Sequence, residues 1–199
     1  PTSLVGQKTK SSPYGNVQPP FQPGELAIGA QARFFARIGG NTPKEMTELF
    51  IEAEKFNGTS LIEVLQNCVI FNDGCFTQFT DKAVRADKQL FVEHGKPMIF
   101  GKDRDKGLVL NGLKLEVVTI GENGITEEDI LVHDAHEEDP TLHQILARLQ
   151  YPLVTGIIRK FEDVTLEERM DKLTAEVKAN SKFSKTDDLF FSGETYEVK

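Results

Sequence analysis

The sequence has no tryptophan and only two cysteines, Cys68 and Cys75. Without tryptophan the core must be built from aliphatic side chains and from phenylalanine, of which there are 14. Two cysteines without a disulfide pattern suit a reducing cytoplasm. Their C-x6-C spacing is not a recognised zinc or thioredoxin spacing. Two thiols alone cannot ligate an iron–sulfur cluster or build an all-thiolate zinc site. No apolar run approaches membrane-spanning length, and no stretch of the sequence reads as a signal peptide. Positive charge is scarce: 23 Lys and Arg face 31 Asp and Glu, for a net charge of -8. That balance argues against a nucleic-acid surface and for an acidic soluble protein. Nucleophile elbow, phosphate loop, H-E-x-x-H and G-x-G-x-x-G are all missing. An independent hydrolase or Rossmann dehydrogenase is therefore unsupported.

What is present is a 199-residue chain with 39% hydrophobic content, enough for one domain or one and a half. It is organised around Ser60 to Asn72. Leu61, Ile62, Val64 and Leu65 follow a Gly58 turn signal and predict a short strand, of the kind a parallel sheet buries on both faces. Cys68 comes just past that strand. In open α/β sheets, chemistry gathers beyond the carboxyl ends of strands. The competing reading of Cys68 is a small buried hydrophobe, as free cysteines usually are.

Residues 1–23, punctuated by Pro1, Pro13, Pro19, Pro20 and Pro23, predict loop. Lys8 and Lys10 there could face a phosphate or acid substrate, or only solvent. Gly24 to Ala32 reads as a short helix and Arg33 to Ile38 as a strand. Thr42-Pro43-Lys44-Glu45 is a capping box that opens a helix to about Phe56. Strand, helix, strand over 33–66 is a βαβ unit, so its two strands should be parallel. Thr80 is expected to cap a helix from Asp81 to Glu93, with His94 complementing its dipole. Met98 to Phe100 is a short strand, and Gly101 to Gly107 a charged turn. Asn111-Gly112 between apolar runs predicts a hairpin.

Residues 122–139 hold many carboxylates and no Lys or Arg. His133, Asp134, His136 and Asp139 resemble metal ligands by type, but H-D-x-H is no established zinc spacing and such loops are usually hydrated. Pro140 should start a helix buried through Leu142, Ile145, Leu146 and Leu149, before a strand at Leu153 to Ile158. Thr165-Leu-Glu-Glu168 caps a charged helix to Ala179 with Leu166, Met170, Leu173 and Val177 on one side. That helix should dock on a partner or on its own subunit. Leu189-Phe-Phe191 is a possible anchor in the polar tail.

Four ordered segments resemble the β subunit of 2-oxoacid:ferredoxin oxidoreductases. Asn67-Cys-Val-Ile-Phe-Asn72 is similar to that family's PCVTFN segment, with Asn67 where Pro is common. Ser12 to Ala27 is similar to its GN(I/V)xPPFNPxELA segment. Gly95 to Gly107 and Leu131 to His136 are similar to its C-terminal extension. The resemblance implies an α/β fold: the C-terminal half of a thiamine-diphosphate-binding, parallel-sheet domain over residues 1–95. A small α+β extension would follow over 96–160, then an amphipathic helix and tail over 161–199. It implies a cytoplasmic enzyme that decarboxylates a 2-oxoacid, 2-oxoglutarate or pyruvate, to an acyl-CoA and passes the electrons to ferredoxin. Thiamine diphosphate, magnesium and an iron–sulfur cluster serve the complete enzyme, with none expected in this chain alone. Partners would be the alpha subunit, ferredoxin, CoA and the 2-oxoacid. Nothing here matches the family's thiamine signature, and the chain begins with Pro1, which suggests the carboxyl-terminal part of a larger subunit, inert alone. Cys68 aligns with the fourth cluster cysteine, so the resemblance makes it an iron ligand. The loop carrying Lys102 and Arg104 could contact a dicarboxylate or CoA, or be an ordinary turn. A binding or assembly module that docks a partner subunit is the rival reading.

Overall fold

The computed structural model describes residues 3–194 and 196–198. Pro1 and Thr2 of the expected N-terminal loop, and Thr195 and Lys199 of the expected tail, lie outside the described residues. The chain divides into two compact units, with the boundary between Glu162 and Asp163.

The first unit opens with loop as far as α1 (Pro23–Gly29), then β1 (Phe34–Gly39), α2 (Pro43–Lys55) and β2 (Ser60–Leu65). Two one-turn helices follow, α3 (Thr77–Thr80) and α4 (Arg85–Lys88), then β3 (Gln89–Val92). Strands β4 (Ile99–Phe100), β5 (Lys106–Asn111) and β6 (Lys114–Thr119) precede α5 (Thr141–Arg148) and β7 (Leu153–Lys160). The second unit contains α6 (Leu166–Ala179) and α7 (Thr186–Phe190).

Strand β1 is the spine. Its Phe-Phe-Ala-Arg-Ile-Gly run is buried at every residue, as β-favouring aromatic and branched side chains between two neighbours should be. On one side it pairs parallel with β2, as the βαβ pattern predicts. On the other it pairs antiparallel with β7. Strand β3 completes the sheet parallel to β7, giving the order β2-β1-β7-β3. The sheet is thus mixed rather than parallel throughout, because the returning strand β7 enters between β1 and β3. Gly156 permits a close approach of β7 to β3: a Cβ there, at a φ of +100°, would stand 2.4 Å from the Val92 carbonyl oxygen. Two apolar clusters flank the sheet. Phe35, Leu90, Val154, Ile158, Met98 and Leu146 pack in one. Phe34, Ile38, Leu49 and Phe56 pack in the other.

Several local expectations are corrected. Strand β2 is an edge strand, only partly buried, not covered on both faces. Thr42 precedes α2 without capping it: its hydroxyl donates to the Gly39 carbonyl at 2.8 Å instead. The expected helix over 81–93 is only the short α4; Gln89 to Val92 are extended, because Leu90 and Val92 bury alternately against β7. The hairpin forms, yet its loop residues are Gly112 and Leu113, with Asn111 facing Lys114. Gly112 alone carries the positive φ, +61°, as a type II′ turn requires.

The acidic segment 134–138 is held from beneath. Arg159, itself buried, donates to the carbonyls of Glu137 at 2.8 Å and Glu138 at 2.9 Å and to His143 Nδ1 at 2.9 Å. A guanidinium cannot accept, so His143 Nδ1 must be bare and its Nε2–H donates to the Asp134 carbonyl at 2.7 Å. His133 is buried too, with Nε2 2.9 Å from the Ile157 carbonyl. Its Nδ1 has no hydrogen-bond partner. Burial pushes His133 down to about 4, and burial first, then Arg159 among the opposing charges, holds His143 below its ordinary value.

Both rings are therefore neutral in the fold and take up protons more readily when it opens. Stability is full above the unfolded histidine value near 6.5 and falls as pH drops toward 4. For His133 the loss is about 3 kcal/mol once pH is below both values. Thermal melts should show Tm falling from pH 7 to 5, with a shallower fall in His133→Leu. A Tm independent of pH over that range would contradict the buried, neutral assignment.

Candidate functional site

Past β2 the chain enters a compact loop from Gln66 to Phe76. It is braced by its own amides. Asn67 donates its side-chain N–H to Asp73 at 2.8 Å and accepts from the Gly74 N–H at 2.8 Å. The Asn72 N–H donates to the Cys68 carbonyl at 3.0 Å. Cys68 is exposed, three residues beyond the carboxyl end of β2, and not a buried hydrophobe. The backbone N–H groups of Phe71, then Ile70 and Asn72, hold the thiol below its ordinary value, against the opposing effects of burial and of the Asp73 charge. The arrangement stabilises a thiolate facing solvent. Val69, Ile70 and Phe71 beside it are also exposed, at 57% or more.

A second loop packs against the first. Asn16 closes it by donating to the carbonyls of Gln18 at 2.6 Å and Ser3 at 3.0 Å. Gln7 then reaches across to the Asn72 side-chain oxygen at 2.8 Å. The Gly15-Asn16 segment and the Cys68 segment, read separately in the sequence, thus share one corner of the fold.

Sequence reasoning missed the charged pair beneath. Arg37 of β1 is 4% exposed and its Nε meets Glu63 of β2 at 2.7 Å. Its Nη2 donates to the Ala147 carbonyl at 2.9 Å. The signal was available: each of two neighbouring apolar strands carries one charge, of opposite sign, at directly paired positions. The pair lies at a cleft of about 210 Å³ that is also lined by Phe21, Leu65, Cys75 and Phe79. That volume is below the ~300 Å³ at which pockets for organic ligands begin.

The other candidates separate. Lys102 and Arg104 are exposed on a turn tied to α4, where Asp87 takes an ion pair from Lys106 at 2.9 Å and the Lys102 N–H at 3.3 Å. His94, at the end of β3 and not of a helix, stacks on His136 at 4.1 Å with Asp134 3.2 Å from its Nδ1. His133 faces the Ile157 carbonyl, and Asp139 accepts from the Thr141 N–H at 2.8 Å. Among the described residues no group of three or more His, Cys, Asp or Glu side chains could hold a metal ion. No helix among them is long and apolar enough to cross a membrane.

The chain is homologous to the 2-oxoacid:ferredoxin oxidoreductases. More particularly, its curated relatives are beta subunits of those enzymes. It is 37% identical over 172 residues, 84% of its own length, to the 2-oxoglutarate oxidoreductase subunit KorB of Mycobacterium tuberculosis, covering 45% of that protein. It is 37% identical over 84 residues, 42% of its own length, to the 2-oxoacid:ferredoxin oxidoreductase subunit beta of Saccharolobus solfataricus, covering 28% of it. The chain thus spans less than half the length of these relatives. No family model matches. Among solved structures, a 2-oxoglutarate:ferredoxin oxidoreductase from Magnetococcus marinus shares the fold, with a TM-score of 0.62 at 17% identity, over 96% of this chain and 51% of that one.

The two thiols should differ in reactivity. At pH 7, Cys68 should alkylate with iodoacetamide several-fold faster than half-buried Cys75, and the lead should shrink in Asn67→Ala, which unbraces the loop. Peptide mapping of partly labelled protein would show it; faster labelling of Cys75 would refute the loop geometry.

Proposed function

We propose that this chain is the carboxyl-terminal part of the beta subunit of a 2-oxoacid:ferredoxin oxidoreductase. Residues 1–95 form the second half of a thiamine-diphosphate-type domain, 96–160 its extension and 161–199 a helix and tail. The complete cytoplasmic enzyme, with its alpha subunit, oxidatively decarboxylates a 2-oxoacid to the acyl-CoA and delivers the electrons to ferredoxin. The observation that carries this reading is the identity to KorB across 172 residues, with Cys68 at the rim of the sheet. The names of the relatives favour 2-oxoglutarate over pyruvate.

In this reading Cys68 is a thiolate ligand of an iron–sulfur cluster, which when bound carries electrons out of the active site. The residues present fit that role. The thiol is accessible, and three backbone N–H groups favour its anionic form. The Asn67, Asn72 and Gln7 amides hold the loop rigid. The remaining ligands come from elsewhere in the complete subunit, as do the groups that hold thiamine diphosphate and magnesium. The apolar rim of Val69, Ile70 and Phe71 suits coverage by that remainder, since contiguous exposed apolar groups mark contact surfaces. The chain alone is inert.

Expressing the full-length subunit with its alpha partner tests this. Cys68→Ser should lower bound iron and weaken the low-temperature electron paramagnetic resonance signal. It should also cut ferredoxin reduction at least tenfold, whereas Cys75→Ser should leave all three unchanged. The intact complex should favour 2-oxoglutarate over pyruvate in kcat/KM. Unaltered iron and activity in Cys68→Ser would remove the ligand role.

A further inference from the structure

The second unit buries none of its described residues, although α6 is 14 residues long. A helix of about 21 Å is marginal on its own in water. Capping helps it start: Thr165 accepts from the Glu168 N–H at 3.2 Å while Glu168 accepts from the Thr165 N–H at 2.8 Å. Capping does not cover its apolar stripe. Leu166, Met170, Leu173 and Val177 are 71%, 53%, 54% and 61% exposed. Their spacing of four, three and four residues is that of the inward positions of a two-stranded coiled coil over two heptads.

We propose that α6 pairs antiparallel with the α6 of a second copy of this chain. The four apolar residues are symmetric about a point between Asp171 and Lys172. A two-fold axis there sets Leu166 against Val177 of the other copy and Met170 against its Leu173, twice each. Such an interface is self-complementary, as two-fold interfaces must be. Charge selects the direction. In the antiparallel register the flanking Arg169 faces Glu176 of the second copy, and the symmetry repeats that pair. The other flank sets Glu167 against Thr174, so no like charges meet. A parallel pairing would set Arg169 against Thr174 instead. Arg169 already donates to Asp163 at 2.7 Å within its own copy. Its guanidinium has further donors for a second carboxylate. Leu173 and Val177 also edge a groove toward Phe183 and Leu189, which continues the apolar surface.

Sedimentation equilibrium of the full chain over a range of concentrations tests the pairing, with circular dichroism to confirm that helix content is kept. The chain should dimerise reversibly, and Leu173→Glu should abolish the dimer. Arg169→Glu alone and Glu176→Arg alone should each weaken it roughly tenfold, by turning two attractive pairs repulsive. The double exchange should restore it. Three outcomes would overturn the proposal. One is a chain that stays monomeric, whether α6 is protected in hydrogen exchange by its own copy or unprotected. Another is a dimer indifferent to Leu173→Glu. The third is a double exchange no tighter than the single ones.

Discussion

A guanidinium buried in the middle of a sheet must meet an anion or unfold the strand that carries it. Arg37 meets that demand with Glu63 at the directly paired position of the neighbouring strand. Breaking such a pair by removing one partner costs about 3–5 kcal/mol, because the other charge stays buried. A slip of one residue would cost as much and would also exchange the faces of β2. The ion pair therefore fixes where β2 ends, and with it where the Cys68 loop begins. At an edge strand with modest apolar burial, this register lock matters more than hydrophobic contact does.

The loop itself relies on side-chain amides where regular structure gives out. Asn67, Asn72, Asn16 and Gln7 satisfy backbone or side-chain partners that water would otherwise take. Short polar side chains of this kind hold non-repetitive backbone in place. They leave the sulfur with N–H neighbours and without a covering side chain. Rigidity and access, usually opposed, coexist here because the bracing comes from below and beside the thiol.

How much of this was legible follows from which interactions are local. The parallel β1–β2 pair, α2 between them, the β5–β6 hairpin and the caps of α6 are written in contiguous patterns, and the structure has them. Cys68 beyond a strand end was equally local. The segment 81–93 was not: Ala83, Val84, Leu90 and Phe91 fit a helix, but pairing with β7 some sixty residues later decides Gln89 to Val92. The same holds for His133 and His143. The type of His133 suggested a metal ligand, but the Ile157 carbonyl of β7 governs its surroundings, and Arg159 of the same strand governs those of His143. Arg37 and Glu63 were visible as isolated charges in apolar runs; only pairing register shows that they meet.

The late arrival of β7 shapes how the molecule is made. About 110 residues separate the end of β1 from the strand that covers its second edge. At roughly 5–20 residues per second of translation, that edge waits on the order of ten seconds on the ribosome. During this interval Phe34 and Phe35 lack half of their final surroundings, and an unpaired strand of this composition invites the wrong neighbour. The second edge of β1 therefore gains its native partner only once synthesis has passed Lys160.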